Sequence, residues 1–340
     1  FAVPGKNALA VGLLQLVGVK LAACSQQAWR SAALAPGLRG RRKWLTRLQP
    51  GQGGHRSGGL HVLIRQQFAV VTGFVAMLCA MALQNFFNAS SELPAGVGAW
   101  MSTRDGGQSA SPWDRLNLGD HVGDVPVHVQ ANRQTLAAAL GVRPVFLQQV
   151  HGTDVVELST DTPDGTLADA CFTFQTGLAC TVMVADCLPV LLWDADGRWV
   201  AAAHAGWRGL AGQGGLGVLE ALWVALAARG ARPERTHAWL GPCIGPQAFE
   251  VGPPVLAAFG AAHEVRAAFK PGRADRWLAD LPRLARWRLQ QLGVAQVSGN
   301  DGSSDWCTVS QPARFFSHRR DAVTLGSSGR MAACIWRDAA

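Results

Sequence analysis

The stretch "VADCLPVLLWDADGRWVAAAHAGWRG", Val184–Gly209, decides the fold. Its two apolar runs, "PVLLWDADG" and "RWVAAAH", meet at the tetrapeptide "DADG", which is a hairpin signal between two strands. Cys187 closes the preceding apolar run, "ACTVMVADC", and His204 closes the second run of the hairpin. The pattern predicts that a cysteine and a histidine lie together at neighbouring strand ends.

The flanking sequence extends this pattern into an α/β (α+β) domain. Further apolar runs bounded by Gly, Asp and Pro predict strands in "RPVFLQQVHG", "GLACTVMVADC" and "THAWLGPCIG". Helical stretches alternate with them: "QANRQTLAAAL", "GGLGVLEALWVALAARG", "GPPVLAAFGAAHEVRAAF" and "DLPRLARWRLQQLG". Asp280 is the expected N-cap of the last one, with Pro282 early in the helix. We expect a single catalytic domain over residues 93–340.

Residues 1–92 have a different composition. They hold ten Lys and Arg residues against one acid, Glu92, in a Gly-rich sequence without clean periodicity. The apolar run Phe68–Leu83 has sixteen residues, whereas a membrane span needs about 20. The chain also begins on Phe1. We interpret residues 1–92 as an unexplained basic and apolar segment, a gene-start artefact or unrelated coding, with a membrane anchor or an accessory segment as alternatives.

Charge and cysteine usage limit the partners of residues 93–340. The net charge of +8 belongs to the first 92 residues, so the remainder is close to neutral and predicts neither a nucleic-acid nor a membrane partner. Hydrophobic residues make up 49% and charged residues 16%, which excludes wholesale disorder. Eight cysteines without a CxxC pair, and no secretory signal, favour the reducing cytoplasm. The oligomeric state is left open.

Three side chains at predicted strand ends are candidate metal ligands: His151 in "QQVHGTD", Cys187 and His204. Two imidazoles and one thiolate suit zinc and can also take copper. Three protein ligands leave a fourth zinc position open, as in catalytic sites. A metal-free alternative uses Cys187 as nucleophile, His151 or His204 as base and Asp186 as orienting acid. A structural alternative has a buried cysteine and core histidines.

Several polar turns are expected to complete a cleft. The Gly-rich turn Gly206–Gly217 with Arg208 predicts an anion site, or glycines that only allow tight packing. The paired arginines of "FFSHRRD" suit phosphate or carboxylate recognition, or form a solvated basic face. "STRDGG", "LNLGDHVGD" and "WLGPCIGPQAFEVG" add further polar or thiol groups. The predicted substrate-binding residues are Arg104, Asn117, Arg208, Cys243, His318, Arg319 and Arg320.

Together the motifs resemble one family, the laccase-domain proteins described as multicopper polyphenol oxidases and later as multifunctional purine nucleoside phosphorylases. The resemblance rests on eight ordered motifs: "STRDGG", "LNLGDHVGD", "QVHGTDVV", "ADCLPVLL", "AAHAGWRG", "LGPCIGPQAFEVG", "CTVSQPARFFSHRRD" and "GRMAACI". They cover roughly residues 93–336.

The resemblance implies an α-β-β-α layered sandwich with mixed sheets and one metal site. It places the zinc ligands on His151, Cys187 and His204. It further implies phosphorolysis of adenosine, inosine, guanosine and methylthioadenosine, with purine nucleosides and phosphate as partners, and adenosine deaminase activity. A copper-dependent polyphenol oxidase is an alternative, which nine histidines without an HxH pair disfavour. A binding or scaffold module with a decayed site is another.

Overall fold

The computed structural model describes residues 86–88, 93–294 and 296–338. The expectations for residues 1–92 therefore lie outside the described residues, apart from one short strand at Phe86–Asn88. This strand pairs through its backbone with Trp100–Ser102, so the sheet extends upstream of the domain start expected near Leu93.

Two six-stranded sheets form the centre of the domain. The first sheet has the order β1-β2-β15-β7-β3-β5, with β1 Phe86–Asn88, β2 Val97–Ser102, β15 Met331–Arg337, β7 Leu178–Val184, β3 Arg143–Gln148 and β5 Thr166–Leu167. The second sheet has the order β14-β10-β8-β9-β6-β4, with β14 Gln296–Gly299, β10 Thr236–Leu240, β8 Leu188–Asp194, β9 Val200–Ala205, β6 Ala170–Thr173 and β4 Val155–Glu157.

A third, small sheet and the helices complete the described elements. The small sheet has the order β11-β13-β12, with β11 Glu250–Val251, β13 Trp277–Ala279 and β12 Phe269–Pro271. The α-helices are α1 Pro126–Leu140, α2 Trp207–Ala211, α3 Val218–Ala228, α4 Pro253–Ala258, α5 His263–Arg266, α6 Leu281–Gln291 and α7 His318–Leu325. Short 3-10 turns cover Pro233–Arg235 and Ser304–Trp306.

Alternating side chains of the strands build three apolar layers. On β8, Leu191 and Trp193 face the first sheet and pack with residues such as Val182 of β7, whereas Leu188, Val190 and Leu192 face α3 and α6. On the outer face of the first sheet, α1 packs against residues from β3, β7 and β15. The order helix, sheet, sheet, helix confirms the α-β-β-α sandwich, and both sheets contain parallel and antiparallel pairs.

The strands and helices predicted from the runs quoted above are present, with one difference. The "DADG" hairpin joins β8 and β9, whose register pairs Leu188 with Ala205. Asp280 accepts the backbone N–H of Arg283 at 2.9 Å and caps α6 as expected. The run "GPPVLAAFGAAHEVRAAF" forms two short helices, α4 and α5. Gly260 between them has φ +82°, a left-handed conformation that ends a helix.

Strand direction brings the functional loops to one edge of the sandwich. Because β3 and β7 are parallel, the loops after both strands leave at the same edge. The antiparallel neighbours place the start of β8, the end of β9 and the start of β15 at this edge as well. His151, Cys187 and His204 all belong to these segments. None of the helices within the described residues is both long and apolar enough to cross a membrane.

Candidate metal centre

His151, Cys187 and His204 form one group of potential metal ligands. One ligand atom from each side chain lies within 4.8 Å of the others. The Sγ of Cys187 is 3.6 Å from Nε2 of His151, and the two imidazole rings cross at 71° with centroids 4.7 Å apart. His204 is buried, Cys187 is half-buried and His151 is exposed, so the group opens to solvent on one side. Such a group can hold a metal ion and leave one position for a ligand.

The backbone has an unusual conformation at His151 and at Asp186, the residue before Cys187. His151 itself has φ +62°, and Asp186, directly before Cys187, has φ +85°. Both values lie in the left-handed region, which is unfavourable for residues other than glycine. Residues in such conformations persist only where their surroundings hold them in place. The contacts of two carboxylates, Asp169 and Asp186, supply that restraint.

Asp169 connects the two histidines. Its side chain is fully buried just before β6 and accepts the backbone N–H groups of Val150, His151 and Gly152 at 3.1, 2.9 and 2.7 Å. It also lies 2.8 Å from Nδ1 of His204. Since an ionised carboxylate only accepts, Nδ1 of His204 carries the hydrogen and Nε2 is left for a metal.

Asp186 holds the loop of Cys187 from the other side. Its Oδ1 accepts the hydroxyl of Thr308 at 2.5 Å, and its Oδ2 accepts the backbone N–H of Arg319 at 2.6 Å. The interpretation of Asp186 as the acid that orients a catalytic histidine is wrong, because its carboxylate binds Thr308 and Arg319, and Asp169 contacts the ring of His204 instead.

The charges of this group favour a thiolate. Burial alone would raise the pKa of Cys187, but the charge of His204 and the hydrogen bond from His151 outweigh it and lower the pKa to about 6. Burial would lower the pKa of His204, whereas the charge of Cys187 and the hydrogen bond to Asp169 raise it to about 9. Hydrogen bonds from His204 and from backbone N–H groups outweigh burial and lower the pKa of Asp169.

Two glycines of the "AHAGWRG" motif leave room for these ligands. A Cβ atom at Gly206 would lie 2.9 Å from both Sγ of Cys187 and Cδ2 of His151. A Cβ atom at Gly209 would lie 2.8 Å from the carbonyl oxygen of Gly152. Contacts this short are not tolerated, so a side chain at either position would push the ligand loops apart.

The rest of the Gly-rich turn is occupied by side chains of the protein. The buried Arg288 donates to the carbonyls of Ala211 and Gly215, at 3.1 and 2.6 Å. Glu220 accepts the backbone N–H of Gly217 at 2.8 Å and pairs with Arg288 at 3.0 Å. The turn therefore uses its N–H group at the start of α3 for Glu220, which supports the packing interpretation over an anion site.

Two predicted substrate-binding residues lie in the interior. Asn117 is fully buried and binds Gly119, Asp124 and the backbone N–H of Arg330. Cys243 is fully buried against Asn300, and burial raises the pKa of its thiol well above the usual range. Both side chains are buried and contact other residues of the surrounding loops, and their role toward a ligand stays a prediction.

Two predicted arginines are used within the protein. Arg320 directs its Nε, Nη1 and Nη2 to the Asp321 carboxylate and to the carbonyls of Thr308, Val309 and Phe315. Arg104 similarly binds the backbone and side chain of Asp114 and the carbonyl of Pro312. These contacts satisfy the five N–H groups of Arg320 and three of those of Arg104. Each guanidinium group therefore stabilises the loops that supply its hydrogen-bond partners.

The remaining three predicted residues are exposed. Arg208 lies on α2, four residues after His204, with its guanidinium 4.5 Å from the Trp207 ring centroid. His318 and Arg319 begin α7, and Arg319 donates Nη1 to the carbonyl of Glu250. The backbone bond from Arg319 to Asp186 brings this helix start to the Cys187 loop. Their role toward a ligand stays a prediction.

Sequence reasoning missed Asp169 and Arg330. Asp169 had a weak signal, an acid directly before the buried run "ACFTF". Arg330 stands directly before β15, next to the same edge, and burial lowers its pKa while the charges of Cys187 and Asp186 raise it. His121 belongs to the same surroundings, because burial and the charge of Arg330 lower its pKa. The sequence does not mark these residues, because their place at the site depends on which strands are neighbours in the sheets.

Comparison with known proteins supports this description. Residues 98–338 match the family model described as "Multi-copper polyphenol oxidoreductase laccase". A Pseudomonas aeruginosa protein named purine nucleoside phosphorylase is 49% identical over 246 residues, 72% of this chain and 94% of its own. The Shigella flexneri protein named purine nucleoside phosphorylase YfiH is 48% identical over 246 residues, 72% of this chain and 95% of its own.

Solved structures show the same fold. A Neisseria meningitidis protein superposes with a TM-score of 0.68 at 42% identity, covering 75% of this chain and all of its own. YlmD from Geobacillus stearothermophilus superposes with a TM-score of 0.66 at 29% identity, covering 75% of this chain and 97% of its own.

The fold and the site define a class: an α-β-β-α protein with two histidines and one cysteine gathered at the edge of its sheets. Within that class, the chain belongs to the laccase-domain family named by the matching model. The resemblance inferred from the eight motifs is thereby confirmed.

Proposed function

We propose that this protein is a zinc-dependent purine nucleoside phosphorylase that also deaminates adenosine. The observation that carries the proposal is the convergence of His151, Cys187 and His204 around one point, with Asp169 behind both histidines. Relatives named purine nucleoside phosphorylase, close to half identical to this chain, support the reaction class. Adenosine, inosine, guanosine and methylthioadenosine are the proposed substrates, together with phosphate.

The donors are of the types that zinc takes, and the spacing of one pair matches a zinc site, within a set that spans up to 4.8 Å. A tetrahedral zinc ion with Zn–S near 2.3 Å and Zn–N near 2.0–2.1 Å separates these donors by about 3.5 Å. The distance from Sγ of Cys187 to Nε2 of His151 is 3.6 Å. A carboxylate behind a ligating histidine, as Asp169 is behind His204, is the usual arrangement at such sites. Copper is the alternative metal for the same donors.

In phosphorolysis, an oxygen of phosphate bonds to C1′ of the ribose while the C1′–N9 bond breaks. The electron pair of that bond goes to the purine, and the proton that phosphate loses is matched by the one that the purine gains. Zinc at this site would supply a Lewis acid that stabilises developing negative charge. The protein would hold the reactants in line, and Asp169 would fix the orientation of both histidines throughout.

Deamination is the second part of the proposal. A water oxygen bonds to C6 of adenosine and the C6–N bond breaks. One proton of the water joins the departing amino group, which leaves as ammonia, and the other is found on N1 of the inosine formed. The solvent-open side of the group, where His151 is exposed, gives water access to a nucleoside bound there. Cys187 has to remain a thiolate for both reactions, which fits the reducing cytoplasm expected from the cysteine usage. All six cysteines within the described residues are free.

A metal-free cysteine hydrolase is the second candidate, because one observation favours it. Cys187, His204 and Asp169 are arranged as nucleophile, base and orienting acid, and the pKa of Cys187 is lowered to about 6. Such a thiolate is reactive without a metal. A multicopper oxidase is disfavoured, since the described residues contain one such ligand group, whereas that chemistry needs several coppers.

Product analysis of the full chain tests the proposal. Adenosine, inosine and methylthioadenosine are each supplied with and without phosphate, and free base, inosine and ribose 1-phosphate are separated by chromatography. We expect phosphate-dependent base release in the wild type, its loss in Cys187→Ala and its retention in Cys334→Ala, a buried cysteine of β15. The proposal would be overturned if no substrate released free base and if adenosine gave no inosine.

A further inference from the structure

Arg330 lies beside the metal centre because of the sheet register. Met331, the first residue of β15, pairs with Val184, the last residue of β7. Arg330 is therefore next to the segment that leads directly to Cys187. Its stem packs on the backbone of Gly119, where a Cβ atom would lie 2.7 Å from Cγ of Arg330. Its backbone N–H donates to Oδ1 of Asn117 at 2.8 Å.

The guanidinium of Arg330 is a cation without an anionic partner within the described residues. None of the ion pairs there includes it. Nη1 donates to the carbonyls of Ser328 and Gly329 at 2.8 and 3.2 Å. No hydrogen bond to a described residue uses Nε or Nη2, so one edge of the planar group keeps its donors. Partly buried charges are normally paired, and none of the described residues supplies an anionic partner here, so this donor edge is suited to an anionic ligand.

The carboxylate of Asp186, whose charge acts on Arg330, has hydrogen-bond partners of its own. Asp186 accepts the hydroxyl of Thr308 and the backbone N–H of Arg319. The Cys187 thiolate would be neutralised by a metal. Burial lowers the pKa of Arg330, and the charges of Cys187 and Asp186 oppose that effect only in part.

We infer that Arg330 binds the phosphate co-substrate, through the donor edge formed by Nε and Nη2, beside the metal centre. The inference rests on the proposed function and deepens it. A planar guanidinium matches two oxygens of a phosphate, and its position at the Cys187 loop places that phosphate next to the ligand group. Of the three arginines predicted to hold phosphate, Arg320 is committed to internal contacts, whereas Arg208 and Arg319 are exposed.

The test measures phosphate use and phosphate binding separately on the zinc-loaded full chain. The variants are Arg330→Gln, which removes the cation, and Arg330→Lys, which keeps the charge and much of the stem on Gly119. The matched control is Arg235→Gln, a half-buried arginine that pairs with Asp196 at the opposite edge of the second sheet. Base release is followed at saturating inosine over a range of phosphate concentrations. Binding of inorganic phosphate is followed by ³¹P NMR without nucleoside.

We expect the KM for phosphate to rise about 10- to 100-fold in Arg330→Gln, since hydrogen bonds to charged groups have this effect. Arg330→Lys restores part of the loss, the KM for inosine changes less than threefold, and the control matches the wild type. An unchanged phosphate KM in Arg330→Gln overturns the inference while leaving the function intact. Phosphate binding that needs Arg330, without any base release, overturns the function and keeps the inference. A wild type that binds no phosphate overturns the inference.

Discussion

Nδ1 of His204 lies 2.8 Å from Oδ1 of Asp169, and the same oxygen accepts the backbone N–H of His151 at 2.9 Å. One carboxylate therefore fixes the imidazole of one metal-ligand candidate and the backbone of another. Because the carboxylate is fully buried, water does not compete for these bonds. The geometry of the site depends on a residue that is not itself a ligand candidate.

Asp169→Asn tests this dependence. An amide nitrogen in place of one oxygen cannot accept hydrogen bonds from the backbone N–H groups of Val150 and Gly152. The loss of the negative charge also weakens the hydrogen bond to Nδ1 of His204. We expect zinc affinity, measured by competition with a chelator, to fall about 10- to 100-fold.

The matched control for this change is Asp194→Asn. Asp194 is also a buried carboxylate, and it accepts backbone N–H groups and pairs with Arg198 at the far end of β8. Its replacement is expected to lower stability while leaving zinc affinity unchanged. An equal loss of zinc affinity in both variants would contradict the specific role of Asp169.

Gly206→Ala tests the space around the ligands. The new methyl group would lie 2.9 Å from Sγ of Cys187, so we expect zinc content and base release to fall at least tenfold while the chain stays folded. Gly152→Ala is the control next to His151, where a Cβ atom finds only ordinary contacts at 3.4 Å and beyond. Normal zinc content in Gly206→Ala would show that the ligand loops are wider apart than described.

Alkylation of the metal-stripped protein tests the charge of Cys187. Only the thiolate reacts, and the pKa of Cys187 is lowered to about 6. The rate with iodoacetamide should therefore be near its plateau at pH 7 and fall as the pH drops through 6, with modification assigned to Cys187 by peptide mass spectrometry.

Removing the cation checks the cause of that lowered pKa. In His204→Gln the attraction of the imidazolium is lost, so the rate should continue to rise between pH 7 and 9, as for an ordinary thiol with a pKa of about 8.5. Bound zinc should block the reaction in the wild type. A wild-type rate that still increases several-fold above pH 8 would contradict the thiolate assignment.

Asn132→Ala tests the support behind the Asn117 loop. The buried Asn132 donates to Ser109, Arg115 and Asn117 and accepts the backbone N–H of Gln108. Losing these bonds leaves buried groups unsatisfied, so we expect the free energy of unfolding to fall by about 2–4 kcal/mol. Gln134→Ala, an exposed change on the same helix, should stay within about 0.5 kcal/mol in the same denaturant titration. Similar values for both variants would contradict this role.

The strand ends were predictable from the sequence because hydrophobic runs and turn residues mark them locally. His151, Cys187 and His204 each follow or begin such a run, and the "DADG" hairpin fixes two of them at one edge. The partners of buried polar groups were not predictable. Arg320 and Asn117 are residue types that often bind ligands. Only the tertiary contacts show that their hydrogen bonds are made inside the protein.

The measurement that tests the central claim most directly is a zinc titration of the metal-stripped full chain, with phosphate-dependent base release from inosine as the readout. We predict that activity is negligible without metal, rises in proportion to added zinc and reaches its plateau at one zinc per chain. In Cys187→Ala, the same titration should give no rise. Full activity before any zinc is added would contradict the account and favour Cys187 acting as a metal-free nucleophile.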